Sequence, residues 1–331
     1  MRPVVTLADA AAAIPGRLRA LADRPVGVTV TTLIDRFMAA YSGRDPTLRT
    51  HLAAWRTLIG DFALEDVDND LIHAARSELA TMPALAYKGL DHEGRKIFKP
   101  KTRQAVKGPA TLNRYMASLG TLFTWAIEQR MTPRKWVHPC RGVRRMPEPQ
   151  GRVRFLDANE RERLFAACKV AQYPRLYAMV LMAMVTGARR GELRTLRWAD
   201  VDLEQGLAQL GRTKNGDRRT LVLLPQVVDA LRPFESSDGR RFLFGAVATG
   251  YQTPASIDTA WIEARARAGI ADFRFHDLRH CCASYLAQDG VPLNVIAEVL
   301  GHRKLDMTRR YAHLTTQTKA DAMRGALGAI S

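Results

Sequence analysis

Four short stretches of the sequence place cationic side chains beside groups that can move protons: TGARRGEL, RTKNGDRR, HDLRH and LGHRKLDMTRRYAHL. Each stretch has an ordinary structural explanation when it is taken alone. Most arginines lie at protein surfaces, Asn-Gly turns occur in many hairpins, and a tyrosine on a helix usually packs half-buried against its neighbours. No single stretch therefore identifies an activity.

Together, these residues match what attack on a phosphodiester requires. The phosphodiester's negative charge repels nucleophiles, and Arg189 and Arg279 offer planar, permanently charged donors that clamp phosphate oxygens. Lys214, next to a tight turn, is expected to protonate the leaving oxygen. Tyr311 can attack the phosphorus and leave a covalent phosphotyrosine. This chemistry needs neither a metal nor a cofactor.

Histidines complete the set. His276 and His302 add donors that also shuttle protons near neutral pH. His276 and His280 have the i, i+4 spacing of a metal pair, but no HExxH pattern or third ligand accompanies them, so we expect no metal. The cations around Tyr311 predict a lowered pKa for its phenol, because positive charge favours the phenolate.

The spacing of the last stretch implies a break in its helix. On one continuous helix, His302 and Tyr311 would lie on opposite faces. The segment RKLDM supplies the break, with Asp306 expected as the N-cap of a new helix that carries Tyr311. Further upstream, Glu192 stands three residues after Arg189 and is expected to share a helix face with it.

Composition points to nucleic acid as the partner. The chain of 331 residues carries 50 Lys and Arg against 33 Asp and Glu, a net charge of +17, so its field attracts polyanions. No stretch has the roughly 18 apolar residues of a spanning helix, and the N-terminus lacks a signal peptide, so we expect a cytoplasmic, nucleoid-associated protein without a membrane partner. The four cysteines form no CxxC pair and are expected to be reduced.

Two domains are expected from the length, and MPEPQGR, at 146–152, is the best linker between them. Upstream, the apolar spacing predicts a small helical bundle. Its two clearest helices are expected to bury Leu48, Leu52, Trp55, Leu58, Ile59 and Phe62 on one, and Leu112, Leu119, Leu122, Phe123 and Ile127 on the other.

The downstream domain is expected to mix helix with a little strand. Asp157 and Glu160 form a capping-box pattern, and an apolar helix should end at Gly187. Two short apolar runs flank Asn215-Gly216, which is typical of a hairpin turn. The fold class is therefore mainly α with a small β-hairpin or sheet (α+β). We expect a leader helix at 1–25, the helical domain at 26–146, a linker at 147–151, the second domain at 152–316 and a tail helix at 317–331.

A basic stretch at 87–109 interrupts the first domain. It has two open interpretations, a solvated surface loop or a loop that contacts the phosphate backbone of DNA. In the second case, the candidate DNA-binding residues are Lys96, Lys99, Lys101, Arg103 and Lys107.

At this point the chain resembles a known family, the tyrosine recombinases or phage-type integrases. TGARRGEL is similar to the family's first arginine motif, HDLRH to its His-x-x-Arg motif, and LGH followed by RRYAHL to its terminal histidine and nucleophile. The order and intervals of these motifs agree over residues 152 to 316. The helical first domain resembles the family's core DNA-binding domain.

The resemblance implies a role for each candidate residue. It assigns Arg189 and Arg279 to the scissile phosphate, Lys214 to the departing 5′ hydroxyl as general acid, His276 and His302 to phosphate binding and proton transfer, Glu192 to orienting the catalytic side chains, and Tyr311 to the 3′-phosphotyrosyl bond.

The resemblance also implies partners. The family recombines double-stranded DNA sites through a Holliday junction, as a homo-tetramer on DNA, and accessory DNA-bending proteins are possible partners. The tail at 317–331 carries a small apolar stripe, which either docks on its own domain or, as the resemblance favours, packs on a neighbouring protomer. Cys281 and Cys282 depart from the family pattern and are expected to be core packing.

Two alternative functions remain. A type IB topoisomerase-like enzyme would use the same nucleophile to relax supercoils. A non-catalytic DNA-binding regulator of the same fold would keep the surface and lose the reaction, although every catalytic position that the motifs require is filled here.

Overall fold

A computed structural model describes residues 27–43, 45, 47–83, 85–90, 96–100, 107–133, 135–149, 152–211, 219–315 and 324 of the chain. The expected leader helix at 1–25 and, apart from residue 324, the expected tail helix at 317–331 lie outside the described residues. The described part is mainly helical with short strands, which confirms the predicted fold class. It divides into two compact units between Gln150 and Gly151.

The first unit is a bundle of amphipathic helices around one apolar cluster. The predicted faces are buried with one exception: Ile127, at the end of the last helix, is 38% exposed and its predicted burial was wrong. Trp55 lies at the centre, fully buried, and its indole N–H donates to the carbonyl oxygen of Tyr115 at 2.9 Å. The helices are α1 (Val30–Ala40), α2 (Leu48–Ile59), α3 (Asn69–Thr81) and α4 (Pro109–Glu128).

The basic stretch contains a hairpin, so its prediction as a loop was wrong. Strands β1 (Leu85–Leu90) and β2 (Lys96–Pro100) pair antiparallel, with Leu85 opposite Pro100 and an irregularity between Tyr87 and Leu90. Ile97 and Phe98 are residues that favour strands, and the many lysines around them hid this signal.

The second unit packs its helices around α6, which is apolar on every side and ends where expected, at Gly187 with a φ of 62°. Asp157 and Glu160 form the predicted capping box at the start of α5. The helices are α5 (Ala158–Lys169), α6 (Leu176–Thr186), α7 (Arg190–Thr195), α8 (Pro225–Leu231), α9 (Asp258–Arg267), α10 (Asp277–Gln288) and α11 (Leu293–Leu300).

A small antiparallel sheet lies beside these helices. Strands β3 (Val201–Asp202), β4 (Leu207–Leu210) and β5 (Arg219–Val222) pair in that order, with Leu210 opposite Arg219. β4 and β5 are the two predicted apolar runs, while the Asn215-Gly216 turn lies outside the described residues.

The chain after α11 changes direction, as its spacing predicted. Gly301 ends α11 with a φ of 65°, and two 3₁₀ helices follow, Leu305–Met307 and Arg309–Thr315. The predicted role of Asp306 was wrong: it lies inside the first 3₁₀ helix and pairs with Arg309 at 3.0 Å instead of capping. The break comes from the left-handed glycine, because that backbone conformation cannot continue a helix.

Candidate active site

The loop between α6 and α7 presents Arg189 together with the carboxylate that holds it. Arg189 immediately precedes α7, and its backbone N–H donates to Glu192 Oε2 at 2.8 Å. Its guanidinium Nη1 donates to Glu192 Oε1 at 2.7 Å. The side chain of Glu192 is 11% exposed and that of Arg189 is 35% exposed. The two residues therefore share a face as expected, and the carboxylate binds the guanidinium at a partly open surface.

Arg219, on β5, lies beside Glu192 and was not predicted from the sequence as a site residue. Its guanidinium donates to the carbonyl oxygens of Thr186 at 2.9 Å and Leu300 at 3.0 Å, and also to that of Val299. Its Nη1 also lies 3.6 Å from Glu192 Oε2. These carbonyls belong to the last residues of α6 and α11, where helices leave acceptors unsatisfied. Arg219 thus joins the ends of the two helices that lead to the candidate motifs.

Arg279, on α10, is buried at 4% exposure, and its Nη1 donates to the carbonyl oxygen of Gly187 at 2.7 Å. Its Nη2 has no hydrogen-bond partner within the described part of the chain. Burial, together with Arg189 and Arg219, lowers the pKa of Arg279 to about 10. A buried donor of this kind is costly until an acceptor, such as an anionic oxygen, meets it.

His302 follows the glycine that ends α11. Its Nδ1 lies 2.8 Å from the hydroxyl oxygen of Thr308, which is fully buried. Burial lowers the pKa of His302 to about 4, and the charges of Arg279 and Arg189 contribute to this lowering. The imidazole is therefore neutral at physiological pH and keeps one ring nitrogen for a ligand.

His276 is the residue immediately before α10 and is exposed. Burial of part of its ring and the charge of Arg279 lower its pKa. Its ring centroid is 5.5 Å from that of His280. Among the described residues, no group of three or more His, Cys, Asp or Glu side chains is placed to hold a metal ion.

Tyr311 lies in the second 3₁₀ helix, 2% exposed, and its hydroxyl oxygen is 2.5 Å from His280 Nδ1. The prediction of a lowered phenol pKa was wrong. Burial raises the pKa of Tyr311 to about 12, although Arg310 and Arg279 act in the opposite direction. In this position the phenol is protonated and enclosed.

The cations of the site face one another with little compensation. Burial lowers the pKa of Arg219 and of Arg279; the charge of Arg189 lowers both further, and the charge of Arg219 also lowers that of Arg279. Among the described residues, Glu192 is the carboxylate that opposes them. Three guanidiniums around one carboxylate form a site for an anion.

Other predicted residues are described only in part. Lys214, Lys101 and Arg103 lie outside the described residues, as do the side chains of Lys96 and Lys99. The ammonium of Lys107 is 3.2 Å from the carbonyl oxygen of Met82, and its pKa is lowered by burial. The core-packing prediction for Cys281 and Cys282 is confirmed, since they are 0% and 3% exposed; all four cysteines are free thiols.

The sequence held one usable signal for Arg219. Side chains two apart on a strand share a face, and Leu221 is buried, so Arg219 should also point inward. For His280, the only signal in the sequence was its spacing from His276, which suggested a metal pair.

Within the described ranges, no helix is long and apolar enough to cross a membrane.

Comparisons with known proteins all match integrases and DNA recombinases. Residues 154–318 match the model of the phage integrase family. The chain is 29% identical over 287 residues to the integrase of Salmonella phage P22, covering 80% of this chain and 70% of that protein. It is 34% identical over 232 residues to the shufflon-specific DNA recombinase of Escherichia coli, covering 69% of this chain and 57% of that one.

Among solved structures, the lambda integrase tetramer bound to a Holliday junction has the same fold, with a TM-score of 0.62. The two chains are 20% identical, and the match covers 90% of this chain and 80% of lambda integrase.

Proposed function

Because the chain belongs to the phage integrase family of tyrosine recombinases, we propose that it is a site-specific DNA recombinase that cleaves and rejoins DNA through a 3′-phosphotyrosine bond. The substrate is double-stranded DNA, and the reaction keeps the energy of the phosphodiester in the protein–DNA bond. Rejoining then needs no external energy source.

The observation that carries this proposal is the unsatisfied positive charge around Arg279. Its Nη2 is buried without an acceptor among the described residues, and two further guanidiniums lie close enough to lower its pKa. A phosphate would supply the missing acceptor and the missing negative charge at once. A protein that only binds DNA does not need a buried cluster of guanidiniums beside a tyrosine, because exposed cations are enough to contact the phosphate backbone.

The proposed reaction assigns each group one step. Arg189 and Arg279 hold the non-bridging oxygens of the phosphate and stabilise the charge that grows on them in the transition state. Tyr311 gives up its proton to His276 or His302 as Oη bonds to phosphorus, while the bond to the 5′ oxygen breaks. Lys214 protonates that leaving oxygen, and His276 and His302 hydrogen-bond the phosphate.

Glu192 supports this arrangement as an orienting residue, since it binds both the backbone and the guanidinium of Arg189. Lys96, Lys99, Lys101, Arg103 and Lys107 are proposed to contact the DNA backbone from the first unit.

The assembly is proposed from the family. Lambda integrase forms a tetramer on a Holliday junction in its solved structure, and a homo-tetramer that exchanges strands through such a junction is the corresponding state for this chain. Accessory DNA-bending proteins and packing of the tail on a neighbouring protomer belong to the same proposal.

The test uses a suicide DNA substrate, nicked near the scissile phosphate so that the cleaved strand is lost. We expect a covalent protein–DNA adduct on denaturing gels from the wild-type protein and none from Tyr311→Phe. Where the site is unknown, a pool of candidate junctions replaces the single substrate. Absence of the adduct on DNA that the wild-type protein binds would refute catalysis and favour a DNA-binding regulator.

A second readout separates recombination from topoisomerase-like relaxation. A recombinase joins strands of two duplexes in an assembly of several protomers, whereas a topoisomerase relaxes supercoiled plasmid as a single protomer. Relaxation of plasmid that carries no recombination site, without recombinant product from two-site substrates, would contradict the proposal.

A further inference from the structure

The candidate nucleophile lies in an enclosed, apolar position. Tyr311 is 2% exposed and packs in a small cluster that includes Cys282, Ala283 and Leu300, each of which is almost fully buried. A phosphodiester of duplex DNA is bulky, charged and hydrated, and at 2% exposure Tyr311 offers it almost no surface to contact. The 3₁₀ segment that carries Tyr311 must therefore move before its hydroxyl contacts DNA.

One polar contact secures the phenol in this cluster. The Tyr311 hydroxyl oxygen lies 2.5 Å from Nδ1 of His280, and the two ring centroids are 5.9 Å apart. His280 is itself buried at 8% exposure and sits on α10, directly after Arg279. Because a buried hydroxyl without a partner is costly, this hydrogen bond is what makes burial of the phenol tolerable.

We propose that His280 is a positioning residue that holds Tyr311 in an unreactive resting position, and that strand cleavage requires this hydrogen bond to break. The inference rests on the proposed function, because it takes Tyr311 as the nucleophile. It adds a residue for which the proposed reaction has no role.

The charges around His280 favour a holding role over the role of proton acceptor. Burial, His276, Arg310 and Arg279 all lower its pKa, Asp277 raises it, and the balance is about 4. Burial meanwhile raises the pKa of Tyr311 to about 12. The proton therefore stays on the phenol, and a neutral imidazole that accepts a hydrogen bond stabilises the protonated, unreactive form.

The first experiment measures exposure of the phenol without DNA. Tetranitromethane nitrates accessible tyrosines, and mass spectrometry locates the nitrated positions. We expect Tyr311 to be protected in the wild-type protein and at least several-fold more reactive in His280→Ala. Tyr173, buried at 9% exposure elsewhere in the same unit, serves as the internal control, since its continued protection shows that the fold is intact.

Two conservative variants separate the hydrogen bond from general loss of packing. His280→Asn places an amide where Nδ1 lies and can still accept from the phenol, so protection of Tyr311 should return. His280→Gln carries the same amide one bond further out and should behave like His280→Ala. A pure packing role would instead follow side-chain size, making the larger Gln the better replacement.

The second experiment measures the single-turnover rate of adduct formation at saturating suicide substrate. Loss of one hydrogen bond of ordinary strength, about 1 kcal/mol, should raise the open fraction, and with it the rate, by about fivefold in His280→Ala and His280→Gln. His280→Asn should match the wild-type protein.

The outcomes are distinct. Unchanged nitration of Tyr311 in His280→Ala would overturn the inference whether or not the protein cleaves DNA. Greater nitration combined with slower cleavage would overturn it as well, because His280 would then assist the reaction. Altered nitration as expected, with no adduct from any variant, would refute the proposed function and leave the contact between the two side chains established.

Discussion

Replacing Arg219 with methionine should destabilise the second unit strongly, although no part of the reaction needs this side chain to touch DNA. Its guanidinium donates to the carbonyl oxygens of Thr186, Val299 and Leu300, which are acceptors at the ends of two helices. A net contribution of about 1 kcal/mol for each of the three bonds gives a loss of about 3 kcal/mol in Arg219→Met.

Two further terms act in opposite directions. Removing a buried guanidinium relieves its desolvation and its repulsion by Arg189, which stabilises the variant. Removing it also leaves Glu192 with one fewer cation, which destabilises the variant. Because the side chain is only 13% exposed, water replaces it poorly, and about 3 kcal/mol remains the expected loss.

Hydrogen exchange with mass spectrometry in increasing urea is the suitable assay, since it reads the two units separately. Peptides from 176–187 and 293–302 should lose protection in Arg219→Met, while peptides from 48–59 in the first unit should not. The matched control is Arg232→Met, which removes a half-exposed guanidinium paired with Glu204 at 3.2 Å and should cost less than about 0.5 kcal/mol. Equal effects of the two substitutions would refute the argument.

The remaining predictions concern backbone strain, pH and phosphate binding. Gly301→Ala should cost more stability than Gly269→Ala in thermal unfolding: both glycines have positive φ, but a Cβ at Gly301 would lie 3.0 Å from Arg219 Cδ whereas Gly269 faces open space. An equal cost would contradict this. Burial lowers the pKa of His280 from 6.5 to about 4, so the unfolded chain binds the proton more readily between these pH values. The contribution of the neutral His280 to the free energy of unfolding is therefore complete above pH 6.5. It is lost as the pH falls towards 4, by about 3 kcal/mol at most. Urea titrations at several pH values should show a shallower pH dependence of the free energy of unfolding in His280→Asn than in the wild-type protein. Arg279→Lys should slow adduct formation about 100-fold at saturating DNA, because an ammonium cannot reproduce the planar donor pair; a rate within threefold of the wild-type protein would remove Arg279 from the proposed site.

Much of the fold follows from local patterns in the sequence. The capping box of Asp157 and Glu160 and the glycine that ends α6 depend on residues within a few positions of each other, so their chemistry is visible in the printed sequence. The apolar faces of α2 and α4 follow from periodicity. The hairpin of β1 and β2 was missed because its lysines were read as solvated charge, which says nothing about backbone pairing.

The residue types of the site could be predicted from the sequence, but most of the contacts between them could not. Arg189 and Glu192 lie three positions apart, so their contact is local and was expected. Arg219, by contrast, bonds to the carbonyls of Thr186 and Leu300, which are far away in the chain. Backbone carbonyls are present at every residue, so sequence gives no indication of which ones a buried guanidinium will meet. Contacts of this kind depend on tertiary packing.

The pKa of Tyr311 was predicted wrongly because the sequence shows the nearby cations but not the burial of the phenol. Neighbouring cations in the sequence predicted a phenolate, and Arg310 and Arg279 do act in that direction, but burial dominates. The two terms respond differently to movement of the 3₁₀ segment. Release from the apolar cluster would remove the desolvation term, whereas the guanidiniums that bind the phosphate would stay near the phenol. The same cations that fail to ionise Tyr311 at rest would therefore favour its ionisation once it is released, so the protein keeps a protonated tyrosine until the segment has opened.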